Sequence, residues 1–261
     1  MSGLAGRTVV NTRAAHQAAE LDALLQARGA LAVPYPCIAL SPPEDSAELD
    51  AALRDLAGGV YDGLVLTSAN TVLVLAWRLQ ALALQLEPGK FKVAAVGPAT
   101  AHAAEQLLGL TAQTVPDEYV AEALAEAMQP VSGQNVLLPQ SALATGALAR
   151  DLAANGARVT EIDAYTMGIG SGGVDLLPML RAGKIDAITL TSGSTARNLL
   201  ARLADEGGDI SALDGVCIGC IGPKTADTAR ALGLHVAVTP ADYTLDGLTA
   251  ALDAHFAVRI D

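Results

Sequence analysis

At two places in this chain a Thr-Ser pair stands between an apolar run and an Ala/Leu-rich segment. One is Leu66-Thr67-Ser68 with Thr71, the other Leu190-Thr191-Ser192-Gly193-Ser194 with Thr195. Where such a pair follows a strand and opens a helix, exposed backbone N–H groups and the positive helix end favour an anion such as carboxylate or phosphate. Serine and threonine there are also good N-caps and need no ligand for that. Recurrence of the pair in both halves favours the ligand reading. A second turn, Gly97-Pro98-Ala99-Thr100, returns as Gly222-Pro223-Lys224-Thr225. Its glycine lets backbone and ligand approach closely, although neither the Walker pattern nor G-x-G-x-x-G is present. Lys224 answers Ala99, so it either lends positive charge to one side only or is simply solvated. No carboxylate pair, histidine cluster or Ser-His-Asp pattern stands out, and His16, His102, His235 and His255 are scattered. That points to a binding protein, or to an enzyme that mainly shapes a reactive substrate.

These residues belong to a duplication. Thr71, Leu75, Gly109, Pro116 and Tyr119 return 124 residues later as Thr195, Leu199, Gly233, Pro240 and Tyr243. A weaker pairing matches Gly6, Val9, Leu25 and Gly29 to Gly133, Val136, Leu152 and Gly156, 127 residues apart. Two related halves suggest two lobes with a cleft between them.

The elements that would position the loops alternate along the whole chain. Strands are expected at 8–11, 31–34, 63–66, 92–96, 135–138, 158–162, 186–190, 216–218 and 236–238. Helices are expected at 14–28, 70–84, 98–107, 143–154, 194–204, 223–232 and 244–256. Such alternation implies parallel sheets covered on both faces: an α/β fold of two three-layer, flavodoxin-like lobes. Gly29, Gly109, Gly156 and Gly233 read as left-handed helix C-caps. Residues 35–43 carry three prolines and residues 165–173 four glycines, at matching places in the two halves. Read as extended linkers, they give a discontinuous lobe of residues 1–36 plus 168–261 and a second lobe of residues 40–164.

Composition narrows the classes. The 261 residues suffice for two domains with their own cores. Apolar residues make up 51%, yet no uninterrupted run reaches the roughly 18 residues of a membrane span. The first residues lack the pattern of a secretory signal, so a cytoplasmic, non-membrane protein is expected. A net charge of −12 argues against nucleic-acid binding, which needs Lys and Arg against phosphates. Cys217-Ile218-Gly219-Cys220 has C-x-x-C spacing. It also reads as a strand, where residues three apart point to opposite faces, so buried cysteines are expected rather than a redox pair or metal site.

In order and spacing, several segments resemble uroporphyrinogen-III synthase. They are Val9-Val10-Asn11-Thr12-Arg13, Leu66-Thr67-Ser68-Ala69-Asn70, Ala95-Val96-Gly97-Pro98-Ala99-Thr100-Ala101, Gly156-Ala157-Arg158-Val159 through Asp163-Ala164-Tyr165, Leu190-Thr191-Ser192 and Ile221-Gly222-Pro223-Lys224-Thr225-Ala226. The resemblance implies two α/β lobes joined by paired linkers around a deep cleft. It implies cyclisation of linear hydroxymethylbilane to uroporphyrinogen III, with loss of water and inversion of the last pyrrole ring through a spiro intermediate. No metal or organic cofactor is implied. The small-molecule substrate would meet a monomer, with at most transient contact with the preceding deaminase.

Substrate-binding residues under this reading are Arg13, Thr67, Ser68, Gly97, Thr100, Thr191, Ser192, Gly193, Ser194, Arg197, Lys224 and Thr225. The eight substrate carboxylates would be met by Arg13, Arg197 and Lys224 beside helix N-termini, against the overall acidic charge. Tyr165 is the catalytic candidate, as proton donor to the leaving hydroxyl or as an orienting hydrogen bond; a tyrosine packing the linker is the structural alternative. Two segments depart from the family pattern. Leu138-Pro139-Gln140-Ser141 stands where an arginine and a glycine are common, and residues 168–173 replace a charged residue. A cytoplasmic two-lobed ligand-binding or regulatory protein is the competing reading. A sugar-phosphate isomerase is another, but it wants a Glu or His base that the loops do not offer.

Overall fold

Segments such as Gly63–Leu66 and Ala187–Leu190 are buried at every position. A strand with no polar side must be covered on both faces, which is the environment of a parallel sheet between helices. The computed structural model, which describes residues 2–258, contains two such sheets. Its elements are, in order, β1 (Thr8–Asn11), a 3-10 turn (Ala15–Gln17), α1 (Ala18–Ala27), β2 (Leu31–Pro34), β3 (Ile38–Ser41), α2 (Ala47–Gly58), β4 (Gly63–Leu66), α3 (Ala69–Ala81), β5 (Lys92–Ala95), α4 (Pro98–Leu108), α5 (Ala121–Ala127), β6 (Asn135–Ser141), α6 (Ala147–Ala154), β7 (Arg158–Ile169), α7 (Leu176–Arg181), β8 (Ala187–Leu190), α8 (Gly193–Asp205), a second 3-10 turn (Ile210–Leu213), β9 (Cys217–Cys220), α9 (Pro223–Ala231), β10 (Val236–Val238) and α10 (Leu245–Ala257). Among the described residues no helix is long and apolar enough to cross a membrane.

The chain divides into two units, one comprising the residues up to Ala39 and from Gly168 onward, the other Leu40–Met167. The first unit's sheet runs β10-β9-β8-β1-β2 and the second's β3-β7-β6-β4-β5. Pairing is parallel along β2-β1-β8-β9-β10 and along β7-β6-β4-β5, for example Val9↔Ala32 and Val9↔Ala187 in one, Val136↔Val159 and Gly63↔Val136 in the other. The duplication is legible in these orders. β2-β1-β8-β9-β10 has its counterpart in β7-β6-β4-β5 followed by a lone parallel bridge, Ala94↔Thr114, where β10's equivalent would lie. β3 is the addition, an extra edge beside β7.

Each sheet separates two apolar layers. In the second unit Leu64 and Leu66 of β4 face one layer with Leu137, while Val65 faces the other with Val136 and Leu138. In the first unit Val10, Ile188 and Leu190 face α7 and α8, while Val9 and Ala187 face α1 and α10. Each fully buried aliphatic side chain contributes about 1.5–3 kcal/mol relative to exposure. Cys217 and Cys220 fall in different layers, on opposite faces of β9. Their thiols therefore cannot act as a pair.

The two Pro- and Gly-rich stretches contain more strand than expected, β3 in the first and the end of β7 in the second. Within the first unit they run against each other. A Cβ at Gly170 would lie 2.1 Å from the Pro36 carbonyl oxygen, and one at Gly173 2.2 Å from that of Pro34. Only glycine permits that approach. Helix α8 fastens both stretches. Arg202 donates to the carbonyls of Pro36 (2.6 Å) and Gly172 (3.0 Å), and its guanidinium lies 3.6 Å over the Tyr35 ring. Asn198 donates to Cys37 O (2.7 Å), and the Tyr35 hydroxyl donates to Glu206 (2.8 Å).

Other boundaries moved for local reasons. The helix expected from Leu143 starts at Ala147, because Gly146 is a left-handed N-cap (φ +67°) and the preceding residues turn, leaving Leu143 exposed. The four glycines expected to close helices do have positive φ: +80° at Gly29, +67° at Gly109, +88° at Gly156 and +89° at Gly233.

Candidate functional site

In each sheet the strand order reverses at one place, between β1 and β8 in the first unit and between β6 and β4 in the second. Helices leave such a pair toward opposite sides, and the gap beyond the strands' carboxyl ends is where open α/β sheets hold ligands. The Thr-Ser loops follow β8 and β4, one on each of these switch points.

In the second unit Ser68 caps α3. Its Oγ accepts from Thr71 N (3.1 Å) and lies 3.0 Å from the Thr71 hydroxyl. It also lies 3.2 Å from the Tyr165 hydroxyl. That contact has a local cause in β7. Pairing with β6 runs Gln140↔Asp163 and then Ser141↔Tyr165, so one extra residue is inserted. A bulge re-aims the side chains that follow it. Strand alternation buries Ile162 and exposes Asp163, but after the bulge both Ala164 and Tyr165 turn inward. Ala142 N then donates to Tyr165 O (3.0 Å), carrying β7 across the end of β6. Tyr165 is 6% exposed and packs in the same layer as Leu66 and Leu137. It is thus both a packed residue and a hydroxyl on the cap of α3. The neighbouring turn is tied in by Val96 N to Leu66 O (3.0 Å), which brings Gly97 and the buried Thr100 beside Thr67 and Ser68. Gln140, at the place where the family often has a charged contact, is buried and donates to Glu161.

The first unit repeats the arrangement closely. Ser68 and Ser192 have φ/ψ of −160°/155° and −159°/162°, and Gly97 and Gly222 have −169°/173° and −168°/174°. Ser192 caps α8 in a two-way capping box: its Oγ accepts from Thr195 N (3.2 Å), and Thr195 Oγ1 accepts from Ser192 N (3.0 Å). Ser194 Oγ stands 3.2 Å from Ser192 Oγ. Ile221 N donates to Leu190 O (2.9 Å), setting Gly222, Lys224 and the buried Thr225 beside half-buried Thr191 and Ser192. The first strand is locked to this edge by Thr12 Oγ1 to Thr189 O (2.5 Å) and Thr189 Oγ1 to Val10 O (2.9 Å).

The candidate cations differ in placement. Lys224 is exposed in the first turn of α9, where a cation opposes the helix dipole unless an anion accompanies it. Arg197 is exposed on the second turn of α8. Arg13 turns back on its own segment, donating through Nε to Gln17 O (2.8 Å). Gly193 has a packing reason: a Cβ there would meet Thr228 Oγ1 of α9 at 2.8 Å. In the other copy Ala69 and Ala103 stand at these places, a small-for-large exchange across the same helix pair.

Two residues seen in the repeat but not nominated also reach these loops. Tyr119 and Tyr243 set their rings against Gly97 and Gly222. Their recurrence beside the Gly-Pro turns was the signal.

Comparison with known proteins bears on the family and the fold. A family model described as uroporphyrinogen-III synthase HemD matches residues 19–250. A uroporphyrinogen-III synthase of Synechococcus elongatus is 36% identical over 257 residues, covering 96% of each chain. Among solved structures, a mutant uroporphyrinogen III synthase of Thermus thermophilus superposes with a TM-score of 0.54 at 20% identity, over 97% of this chain and 100% of that one. The Helicobacter pylori uroporphyrinogen-III synthetase gives the same TM-score and coverage at 14% identity. At those identities the two structures speak for the α/β fold with two parallel sheets, while the family model and the sequence relative carry more. The chain belongs to the uroporphyrinogen-III synthase family.

Proposed function

We propose that this cyclising lyase of tetrapyrrole biosynthesis carries out its reaction at the strand-end loops of Ser68 and Ser192, with Tyr165 beside the reacting carbon. The substrate is linear hydroxymethylbilane and the product uroporphyrinogen III. The observation that carries the assignment of roles is the Tyr165 hydroxyl at 3.2 Å from Ser68 Oγ, on the cap of α3.

The chemistry asks little acid or base strength. The C–O bond of the terminal hydroxymethyl group breaks, its electron pair leaves with oxygen, and the pyrrole nitrogen lone pair stabilises the cation left behind. The Tyr165 hydroxyl gives that oxygen a proton so that it departs as water, in the way a weak but positioned acid does, and the proton released when the last ring recloses at its unsubstituted carbon restores the phenol. The final ring then attacks at its substituted carbon to give the spiro intermediate, which fragments and recloses with that ring inverted. The uncatalysed cyclisation gives the unflipped isomer, so selectivity is differential transition-state binding. Each 1.4 kcal/mol shifts the choice about tenfold. Fixing the carboxylates on helix N-termini and hydroxyls supplies such positioning.

The strand orders support reading each unit as a flavodoxin-like lobe. Numbered along its own sequence, the first unit reads 2-1-3-4-5 across the sheet, the order of that architecture. The two Pro- and Gly-rich stretches are then the linkers between lobes. One experiment tests the function: generate hydroxymethylbilane in situ, add the protein, oxidise the products and measure the III-to-I isomer ratio by chromatography. An excess of isomer III is expected; a ratio no better than the protein-free control removes the reading.

A further inference from the structure

The chain has eight aromatic side chains of the Phe, Trp and Tyr types. Tyr35, Tyr61, Tyr165, Phe91 and Phe256 are buried, and Trp77 is 37% exposed. Tyr119 (62%) and Tyr243 (61%) alone are more than half exposed. They are counterparts in the duplication, 124 residues apart. Each lies against the glycine of its unit's Gly-Pro turn. A Cβ on Gly97 would come within 3.2 Å of Tyr119 Cγ, and one on Gly222 within 3.4 Å of Tyr243 Cγ. Both glycines have extended backbone, φ −169° and −168°, which any residue adopts. At Gly97 a Cβ would therefore press on the ring beside it, at Gly222 it would make an ordinary contact, and neither glycine is needed for its conformational freedom.

A structural explanation exists, and it is incomplete. Each tyrosine immediately precedes a helix N-cap, Val120 of α5 and Thr244 of α10, where an apolar side chain can staple the first turn by packing on the fourth helical residue. Those residues, Leu124 and Leu248, are fully buried. A staple calls for covered rings, yet most of each phenol faces outward in both copies. Solvent-facing aromatic surface beside a loop suited to anions matches a ligand built of flat π-rings bearing carboxylates.

Resting on the function proposed above, we infer that Tyr119 and Tyr243 are substrate-contacting aromatic platforms. Each stacks its ring against a pyrrole of the tetrapyrrole chain while the adjoining helix N-terminus takes that pyrrole's carboxylate. Stacked or edge-to-face aromatic pairs are directional, so each platform also fixes the tilt of the pyrrole it holds.

The test is a steady-state series on the full chain with hydroxymethylbilane supplied in situ, using Tyr119→Leu, Tyr119→Phe, Tyr243→Leu and Tyr243→Phe, with thermal midpoints measured alongside. Leucine keeps an apolar staple but not a flat ring. Each leucine variant should raise KM about threefold to tenfold, with its melting temperature near wild type, and phenylalanine should restore KM to within about twofold. Gly97→Ala, which displaces the ring without removing it, should raise KM in the same direction and covers the case of a leucine variant that fails to fold. Unchanged KM in both leucine variants, or melting temperatures that fall while KM stays put, overturns the platforms in favour of the staple. Absence of isomer III excess from the wild-type chain would instead remove the underlying function, and this inference with it.

Discussion

Arg202 offers the sharpest test of how the two Pro- and Gly-rich stretches are held. Its fork donates to Pro36 O at 2.6 Å and Gly172 O at 3.0 Å, one carbonyl from each stretch, while its plane covers Tyr35 at 3.6 Å. With the side chain only 11% exposed, these contacts are little screened by water. Hydrogen bonds from a charged donor are worth about 1.5–3 kcal/mol each, and a largely desolvated cation–π contact adds about 1–2 kcal/mol. Because the contacts share one group they do not simply add. Arg202→Ala should therefore destabilise the first unit by about 3–5 kcal/mol, and Arg202→Lys, which lacks the planar fork, by about half as much. The chain supplies its own two reporters. Its single tryptophan, Trp77, lies on α3 in the second unit. Its three cysteines, Cys37, Cys217 and Cys220, are all buried in the first. In a urea titration, thiol labelling reads the first unit and tryptophan fluorescence the second. For a slope of about 2 kcal/mol/M, the thiol midpoint should fall by about 1.5–2.5 M in the alanine variant. A midpoint displaced by less than about 0.5 M would refute the fastening role.

Tyr165→Phe removes a hydroxyl whose partner, Ser68, keeps its capping bond to Thr71 N. Stability should fall by about 1 kcal/mol or less while ring closure slows at least tenfold; full kcat would return Tyr165 to a packing role. Lys224→Glu, at the exposed start of α9, should raise KM steeply with kcat little changed, and unaltered kinetics would count against a carboxylate contact there. Gly170→Ala forces a Cβ to within 2.1 Å of Pro36 O; the thiol-labelling midpoint should drop while the Trp77 transition stays in place. Burial, with Glu206 adding to it and Arg202 opposing, pushes the Cys37 thiol up to about 12, and burial likewise lifts Cys220 to about 11. Burial and its bond to Glu206 also raise Tyr35. Folded values above unfolded ones mean stability that is complete below about pH 8.5 and lost as pH climbs toward 12. The thermal midpoint should accordingly be flat to about pH 8.5 and then decline, less steeply in Cys37→Ala; an identical decline in that variant would refute the assignment to Cys37.

Much of this architecture is legible in the residues themselves. Short strands rich in β-branched and other apolar residues, such as Gly63–Leu66 and Ala187–Leu190, alternate with helical segments, and glycines close helices at matching places in both halves, so alternation and duplication follow from pattern. β3 was hidden because Ile38–Ser41 is short and lies between prolines, which read as a connector. The length of β7 was hidden because its latter part, through Met167 and Gly168, has no apolar alternation; backbone pairing sustains it there. α2 was detectable: Leu49, Ala52, Leu53 and Leu56 keep helical spacing and are all buried. The loops of the candidate site stand out in the sequence because Ser, Thr and Gly recur in them. The aim of Tyr165 could not be read there, since it depends on a one-residue register shift between β6 and β7. Nor could the fastening by Arg202, whose hydrogen bonds to the two stretches go to main-chain carbonyls and leave no mark on residue type.

The duplication also sorts its own divergences. Where the two copies differ and packing accounts for it, the difference says nothing about ligand: a Cβ at Gly193 would meet Thr228, and the other copy has alanine at both corresponding positions, 69 and 103. Where they differ and packing does not account for it, a functional cause is the economical one. Lys224 against Ala99 is such a case, since an exposed cation at a helix N-terminus gains nothing from its own fold. Ser68 is another, because its hydroxyl meets Tyr165 whereas Ser192 hydrogen-bonds with Ser194 and Thr195 of its own helix start. One copy has thus gained a charge and the other a phenol. The substrate has a reacting end and an end that is only held. Under the function proposed above, this divergence of two loops that began alike is what a substrate with unlike ends would call for.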